Sequence, residues 1–125
     1  MKQLILIVED NDKNLKLTRD VLRFHGFDTI EATSAEDGIA LAKERRPHLV
    51  LMDIQLPGMD GVSALHELRR DAATAAIPVV ALTASVMKED RERFDKAGFD
   101  GFITKPISVK DFPDQVRGYM RGGTT

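Results

Sequence analysis

At 125 residues, the chain has the length of one domain, with no room for a second. Its 42% hydrophobic and 30% charged residues are enough for a packed core and argue against disorder. Lys and Arg number 18 and Asp and Glu 20, a net charge of −2 without the basic footprint of a nucleic-acid binder or a membrane-surface helix. There is no cysteine, which excludes a disulfide framework, an iron–sulfur cluster and a thiol nucleophile, and fits a reducing cytoplasm. No apolar run approaches the ~18 residues of a membrane span. The opening Met1-Lys2-Gln3 leads into a short apolar run that ends in acids, unlike a signal peptide.

Leu4-Ile5-Leu6-Ile7-Val8 is a continuous apolar run without alternation, which predicts a strand buried on both faces and ending at Glu9-Asp10. Asn11 or Asp12 can cap a first helix with Leu15, Val21, Leu22 and Phe24 at helical spacing and Gly26 as its stop. Phe27 to Ala32 reads as a less apolar strand at a sheet edge. Ser34, with Asp37 three residues on, opens a second helix that carries Ile39, Leu41 and Ala42 and closes at Arg45-Arg46-Pro47. Leu49-Val50-Leu51-Met52 is a buried strand ending in Asp53, followed by the turn cluster Pro57-Gly58-Met59-Asp60-Gly61. Val62, Leu65 and Leu68 mark a third helix. Ile77 to Leu82 predicts a fourth strand, with Pro78 near its start, ending at Thr83. Val86 to Ala97 predicts a charged helix stopped by Gly98. Gly101 to Thr104 predicts a fifth strand ending at Lys105-Pro106, and Asp111 to Met120 a fifth helix. The expected organisation is one domain over 1–121 with a flexible tail over 122–125.

Strands alternating with helices predict an α/β fold, a parallel sheet covered on both faces in three αβα layers. Right-handed crossovers favour the flavodoxin-like, doubly wound order 2-1-3-4-5, with a crevice at the carboxyl ends of the strands. Those ends carry Glu9, Asp10, Asp53, Thr83 and Lys105. Three carboxylates at short range repel one another, and oxygen donors without His or Cys suit Mg2+. A carboxylate beside Mg2+, a hydroxyl and a lysine forms a site for phosphoryl transfer, with Asp as nucleophile and an acyl phosphate as product. Thr83 and the N–H after it can donate to phosphoryl oxygens.

The segments Ile7-Val8-Glu9-Asp10-Asn11, Leu51 to Gly61, Ala81-Leu82-Thr83-Ala84 and Ile103-Thr104-Lys105-Pro106 carry a resemblance. Over almost its whole length the chain resembles the receiver domains of two-component response regulators, most of all the single-domain DivK and CheY types, and hence a CheY-like fold. The resemblance implies that Asp53 accepts a phosphoryl group from a sensor histidine kinase or a histidine phosphotransfer protein. It implies Mg2+, with Mn2+ able to substitute, held by Asp10, Asp53, the Gln55 main-chain carbonyl and, through water, Glu9. Thr83, the Ala84 N–H and Lys105 would bind the phosphoryl oxygens. A cis bond between Lys105 and Pro106 would aim the lysine into the site. Thr83 and Phe102 would form the switch, Phe102 lacking the hydroxyl of the more usual Tyr. A downstream protein effector would read the face of the fourth helix, fifth strand and fifth helix. The expected molecule is a phosphoacceptor switch rather than a turnover enzyme, cytoplasmic, free of nucleic acid and membrane, and a monomer or weak phosphorylation-dependent dimer.

Other readings are weaker on the residues. A phosphatase with an aspartyl-phosphate intermediate wants a second Asp two residues after the nucleophile, where this chain has Gln55. A flavin carrier wants a Ser/Thr-rich phosphate loop where this chain has Glu9-Asp10. A phosphate shuttle, or a receiver from a hybrid kinase, stays open. His25, His48 and His66 read as surface residues, and Gly58 and Gly61 as turn glycines without a phosphate-loop motif. The run from Lys88 to Arg93 reads as a solvated face, while Val86, Met87 and Phe94 could be core or partner-facing. Leu15 beside Asn14 could belong to a kinase-docking patch or to the core. Gln55 and Ser85 would flank the path of a hydrolytic water, and neither is a strong base, which predicts slow to moderate dephosphorylation.

Overall fold

A computed structural model describes residues 2–56, 58–84 and 87–122. In chain order its elements are β1 (Leu4–Val8), α1 (Asp12–Phe24), β2 (Asp28–Ala32), α2 (Ala35–Arg45), β3 (Leu49–Asp53), α3 (Gly61–Arg70), β4 (Val79–Thr83), α4 (Lys88–Ala97), β5 (Gly101–Thr104) and α5 (Phe112–Gly122). The strands form one parallel sheet in the order β2-β1-β3-β4-β5. α5 takes in Gly122, the first residue of the expected tail, and 123–125 lie outside the described residues, as do Pro57, Ser85 and Val86.

The unbroken apolar runs are explained by two separate cores. Leu6, Val8, Val50, Met52, Val79 and Ala81 face one side, against Ala42, Leu65, Leu68 and Phe94 of α2, α3 and α4. Ile5, Ile7, Leu49, Leu51, Val80 and Leu82 face the other, against Val21, Leu22, Phe112, Val116 and Met120 of α1 and α5. A central strand buried on both faces cannot alternate polar with apolar. Truncating a residue such as Leu65 or Leu51 in such a core costs about 2–5 kcal/mol. β2, paired only with β1, keeps polar residues at Asp28, Thr29 and Glu31 and forms the sheet edge.

Caps set where the helices begin and end. Asn11, Ser34 and Asp60 accept N–H bonds from Asn14, Asp37 and Ser63 at 3.0, 3.2 and 2.8 Å. α4 stops at Gly98, whose φ of 104° is accessible mainly to glycine. Two details depart from the sequence pattern. Phe24 has helical spacing but is 86% exposed at the last position of α1, where its ring meets His25 edge to face. α4 begins at Lys88 with the exposed Met87 as its cap residue, whereas Phe94 is core.

Arg69 ties the segment before β4 to the loop before β5. Its guanidinium donates to the carbonyls of Ala75 and Ile77 and to the Asp100 carboxylate at 3.1, 2.7 and 2.9 Å. The same Asp100 oxygen accepts the Val79 N–H at 2.8 Å. These contacts fix β4 and β5, whose far ends carry Thr83 and lead to Lys105.

Candidate functional site

Parallel strands bring their carboxyl ends to one rim, and the chemistry gathers there. Glu9 follows β1 directly, and its N–H donates to the Ala32 carbonyl at 3.0 Å, which anchors it to the sheet. Asp53 is the last residue of β3, and Thr83 the last of β4. Lys105 follows β5 and is tied to β4 by its own N–H on the Thr83 carbonyl at 2.7 Å. The Lys105–Pro106 peptide bond is cis. Gly61, at the start of α3, lets the β3–α3 loop close over this rim: a Cβ there would lie 2.9 Å from the Asp53 carbonyl oxygen and 3.0 Å from the Ile54 Cα. The loop is further held by the Gly61 N–H on the Ile54 carbonyl at 3.2 Å.

The carboxylates of Glu9, Asp10 and Asp53 offer oxygens that all lie within 4.8 Å of one another. Glu9 and Asp53 are 1% and 3% exposed, while Asp10 is open to solvent. The Lys105 ammonium bridges the two buried acids, 3.2 Å from Glu9 Oε1 and 3.1 Å from Asp53 Oδ2. The other Asp53 oxygen accepts the Gln55 N–H at 3.0 Å, and Glu9 Oε2 accepts the Asn11 N–H at 3.5 Å. Among the described residues every buried side-chain polar atom has a hydrogen-bond partner.

One ammonium does not balance three carboxylates. Burial, and then the neighbouring Asp53, push the Glu9 carboxyl from 4.5 up to about 7, and Lys105 only partly offsets them. Burial alone would lower the Lys105 ammonium, but Asp53 and Glu9 outweigh it and hold the lysine above its usual 10.5. The donor set fits a hard divalent cation: closely spaced carboxylate oxygens, no nitrogen or sulfur ligand, and one open, solvent-facing member.

Glu9, Asp10, Asp53 and Lys105 thus come together in space as the strand ends predicted, with Thr83 and the exposed Ala84 beside them at the end of β4. Phe102 lies away from this cluster on β5, half-buried against the α2–α3–α4 core. Two contacts on Phe102 were not legible in the sequence. Arg91 of α4 stacks over its ring, 5.3 Å from the centroid, and the Tyr119 hydroxyl of α5 donates to its carbonyl at 3.1 Å. Tyr119 reaches that carbonyl across Gly101, where any side chain would collide with its ring. Only the spatial neighbourhood of β5 reveals these contacts, since the residues stand 11 and 17 positions from Phe102. His48, read as a plain surface residue, accepts the Leu4 N–H on Nδ1 at 2.9 Å. Leu15 packs against the α1–α5 core as a partly buried residue.

Residues 5–117 match the family model of the response regulator receiver domain. The polar-differentiation response regulator DivK of Brucella anthropi is 42% identical over 120 residues, which span 96% of this chain and 98% of that one. The receiver domain of a sensor histidine kinase from Pseudomonas aeruginosa is 30% identical, with a TM-score of 0.88 over 97% of this chain and 99% of that one, and its structure has a magnesium ion coordinated in the active-site cleft. The chemotaxis protein CheY4 of Vibrio cholerae, 18% identical, shares the fold with a TM-score of 0.90 over 95% of this chain and 99% of that one. No helix among the described residues is long and apolar enough to cross a membrane.

Proposed function

The chain belongs to the response regulator receiver domain family, a family of phosphoacceptor switches in two-component signalling, and from this premise we propose that Asp53 is its phosphoacceptor. The observation that carries the proposal is the position of Asp53. Its carboxylate is buried at the strand-end rim, 3.1 Å from Lys105 and within 4.8 Å of the other two acids.

One Asp53 oxygen attacks the phosphorus of a phosphohistidine in line. An O–P bond forms, the P–N bond breaks, and the leaving imidazole nitrogen takes its proton from solvent. Asp10, Asp53, the Gln55 main-chain carbonyl and, through water, Glu9 would hold Mg2+ or its substitute Mn2+. When bound, the ion offsets the negative charge that converges on the transferring group. Lys105 exchanges part of its contact with Glu9 and Asp53 for a phosphoryl oxygen. The Thr83 hydroxyl and the Ala84 N–H donate to the others.

The donor is a sensor histidine kinase or a histidine phosphotransfer protein. Thr83 moves toward the phosphoryl group and Phe102 follows, so that the α4–β5–α5 face changes for a downstream protein. Arg91 and Tyr119 join Phe102 to both flanking helices, which gives its motion a route to that face. The reaction is stoichiometric switching in the cytoplasm, and Gln55, no strong base, leaves hydrolysis of the acyl phosphate slow to moderate. The DivK relative, a polar-differentiation response regulator, extends the proposal to control of polar differentiation.

Borohydride tests the assignment, because it reduces an aspartyl phosphate to homoserine. After incubation with acetyl phosphate and Mg2+, peptide mass mapping should find homoserine at position 53. Homoserine at another acid, or none after demonstrated phosphoryl uptake, would overturn it.

A further inference from the structure

The surroundings of Phe102 decide where its ring rests. The ring is half-buried on the α2–α3–α4 core, and the strand beneath it is pinned. The Tyr119 hydroxyl donates to the Phe102 carbonyl at 3.1 Å, and the Asp100 N–H donates to the Val79 carbonyl at 2.9 Å. Motion at this position is therefore a rotation of the side chain, not a shift of β5. A phenyl ring makes no hydrogen bond, so packing and contacts on its face set its preference. Arg93 and Arg117 lie over Phe94 and Phe27, which are rings fixed in the core. Arg91 lies over a ring that is not. Arg91 is exposed, and among the described residues it makes no ion pair, although Asp95 stands one turn further along α4. Its guanidinium sits instead 5.3 Å from the Phe102 centroid.

We propose that Arg91 is a positioning residue that sets the resting state of the switch: its guanidinium holds the Phe102 ring in its outer place and so keeps the unphosphorylated chain out of the active arrangement. The inference rests on the phosphoacceptor reading above. When the ring turns toward the space that Thr83 leaves, the guanidinium loses the ring face. Following the ring inward would strip water from a charge that has no ion-pair partner. The contact therefore exists in only one of the two arrangements, and it biases the equilibrium by its own free energy. For an exposed cation over an aromatic ring that bias is about two- to fivefold. The coupling is reciprocal: removing the contact tightens whatever binding at Asp53 the inward arrangement favours.

Beryllofluoride, which mimics a phosphoryl group on a carboxylate, tests this on the full chain with Mg2+, followed by amide NMR. Its apparent dissociation constant falls as the competent fraction rises. Arg91→Ala should bind it about two- to fivefold more tightly than the wild type, and Arg91→Lys, which keeps a cation near the ring, should stay closer to the wild type. Lys96→Ala removes an exposed cation from the same helix without touching a ring, and should leave the affinity unchanged. In a Phe102→Leu background Arg91→Ala should have no effect, because the contact is already gone. The amide spectra check the fold of each variant. An unchanged or weaker affinity in Arg91→Ala overturns the proposal. So does equal tightening in Lys96→Ala or in the Phe102→Leu background. A wild type that does not bind beryllofluoride, or binds it with Phe102 and α4 unmoved, overturns the underlying reading and this inference with it.

Discussion

The charge imbalance at the rim makes a prediction with an unusual sign. Acids that are ion-paired or hydrogen-bonded in the fold commonly have depressed pKa values and stabilise it at neutral pH. Glu9 does the reverse: its carboxyl rises from 4.5 to about 7 on folding. The folded chain therefore binds that proton more tightly than the unfolded chain, and protonated Glu9 favours the fold. This contribution is complete below pH 4.5 and is lost as pH rises through about 7. A rise of this size corresponds to about 3 kcal/mol of destabilisation once Glu9 is ionised, in the absence of metal. Lys105, held above its usual 10.5, stays charged throughout and does not alter the window. Glu9→Gln keeps the shape and an acceptor for Lys105 but cannot ionise. Urea unfolding in excess chelator, at pH 5 and pH 8, measures the effect, and the difference between variant and wild type cancels the other titrating groups. The variant should be close to wild type at pH 5 and about 2–3 kcal/mol more stable at pH 8. A variant of equal or lower stability at pH 8 would refute the argument, as would a gain that does not depend on pH.

Thr83→Ala should leave Asp53 phosphorylation intact while weakening the response of the α4–β5–α5 face. Amide chemical-shift changes on phosphorylation should shrink at Phe102 and along α4, and undiminished changes would count against the coupling. Arg69→Ala removes the donor from the Ala75 and Ile77 carbonyls and from Asp100, and should cost about 1–3 kcal/mol in urea unfolding without preventing Asp53 from being phosphorylated. A loss under ~0.5 kcal/mol would mean that water replaces those bonds.

The strands β1, β3 and β4 were legible because continuous apolar runs leave little choice but a strand buried on both faces. The acids and Thr83 that end them then mark the site without any coordinates. β2 was read as an edge from its polarity, and the sheet order places it there. Phe24 misled because helical spacing gives a face but not whether the last residue of a helix has anything to pack against. Contacts that depend on where distant elements meet were illegible. Arg69 reaching Asp100, Arg91 over Phe102 and Tyr119 across Gly101 each join residues that no local spacing connects. Gly61 could be read as a turn residue, but its closeness to the Asp53 carbonyl is a property of the folded loop.

Intact-protein mass after incubation with acetyl phosphate tests the central claim most directly, run with Mg2+, with chelator, and on Asp53→Asn with Mg2+. The account predicts the gain of one phosphoryl group in the wild type with Mg2+ and none in the other two. A phosphoryl group gained without the metal, or retained by Asp53→Asn, would contradict it.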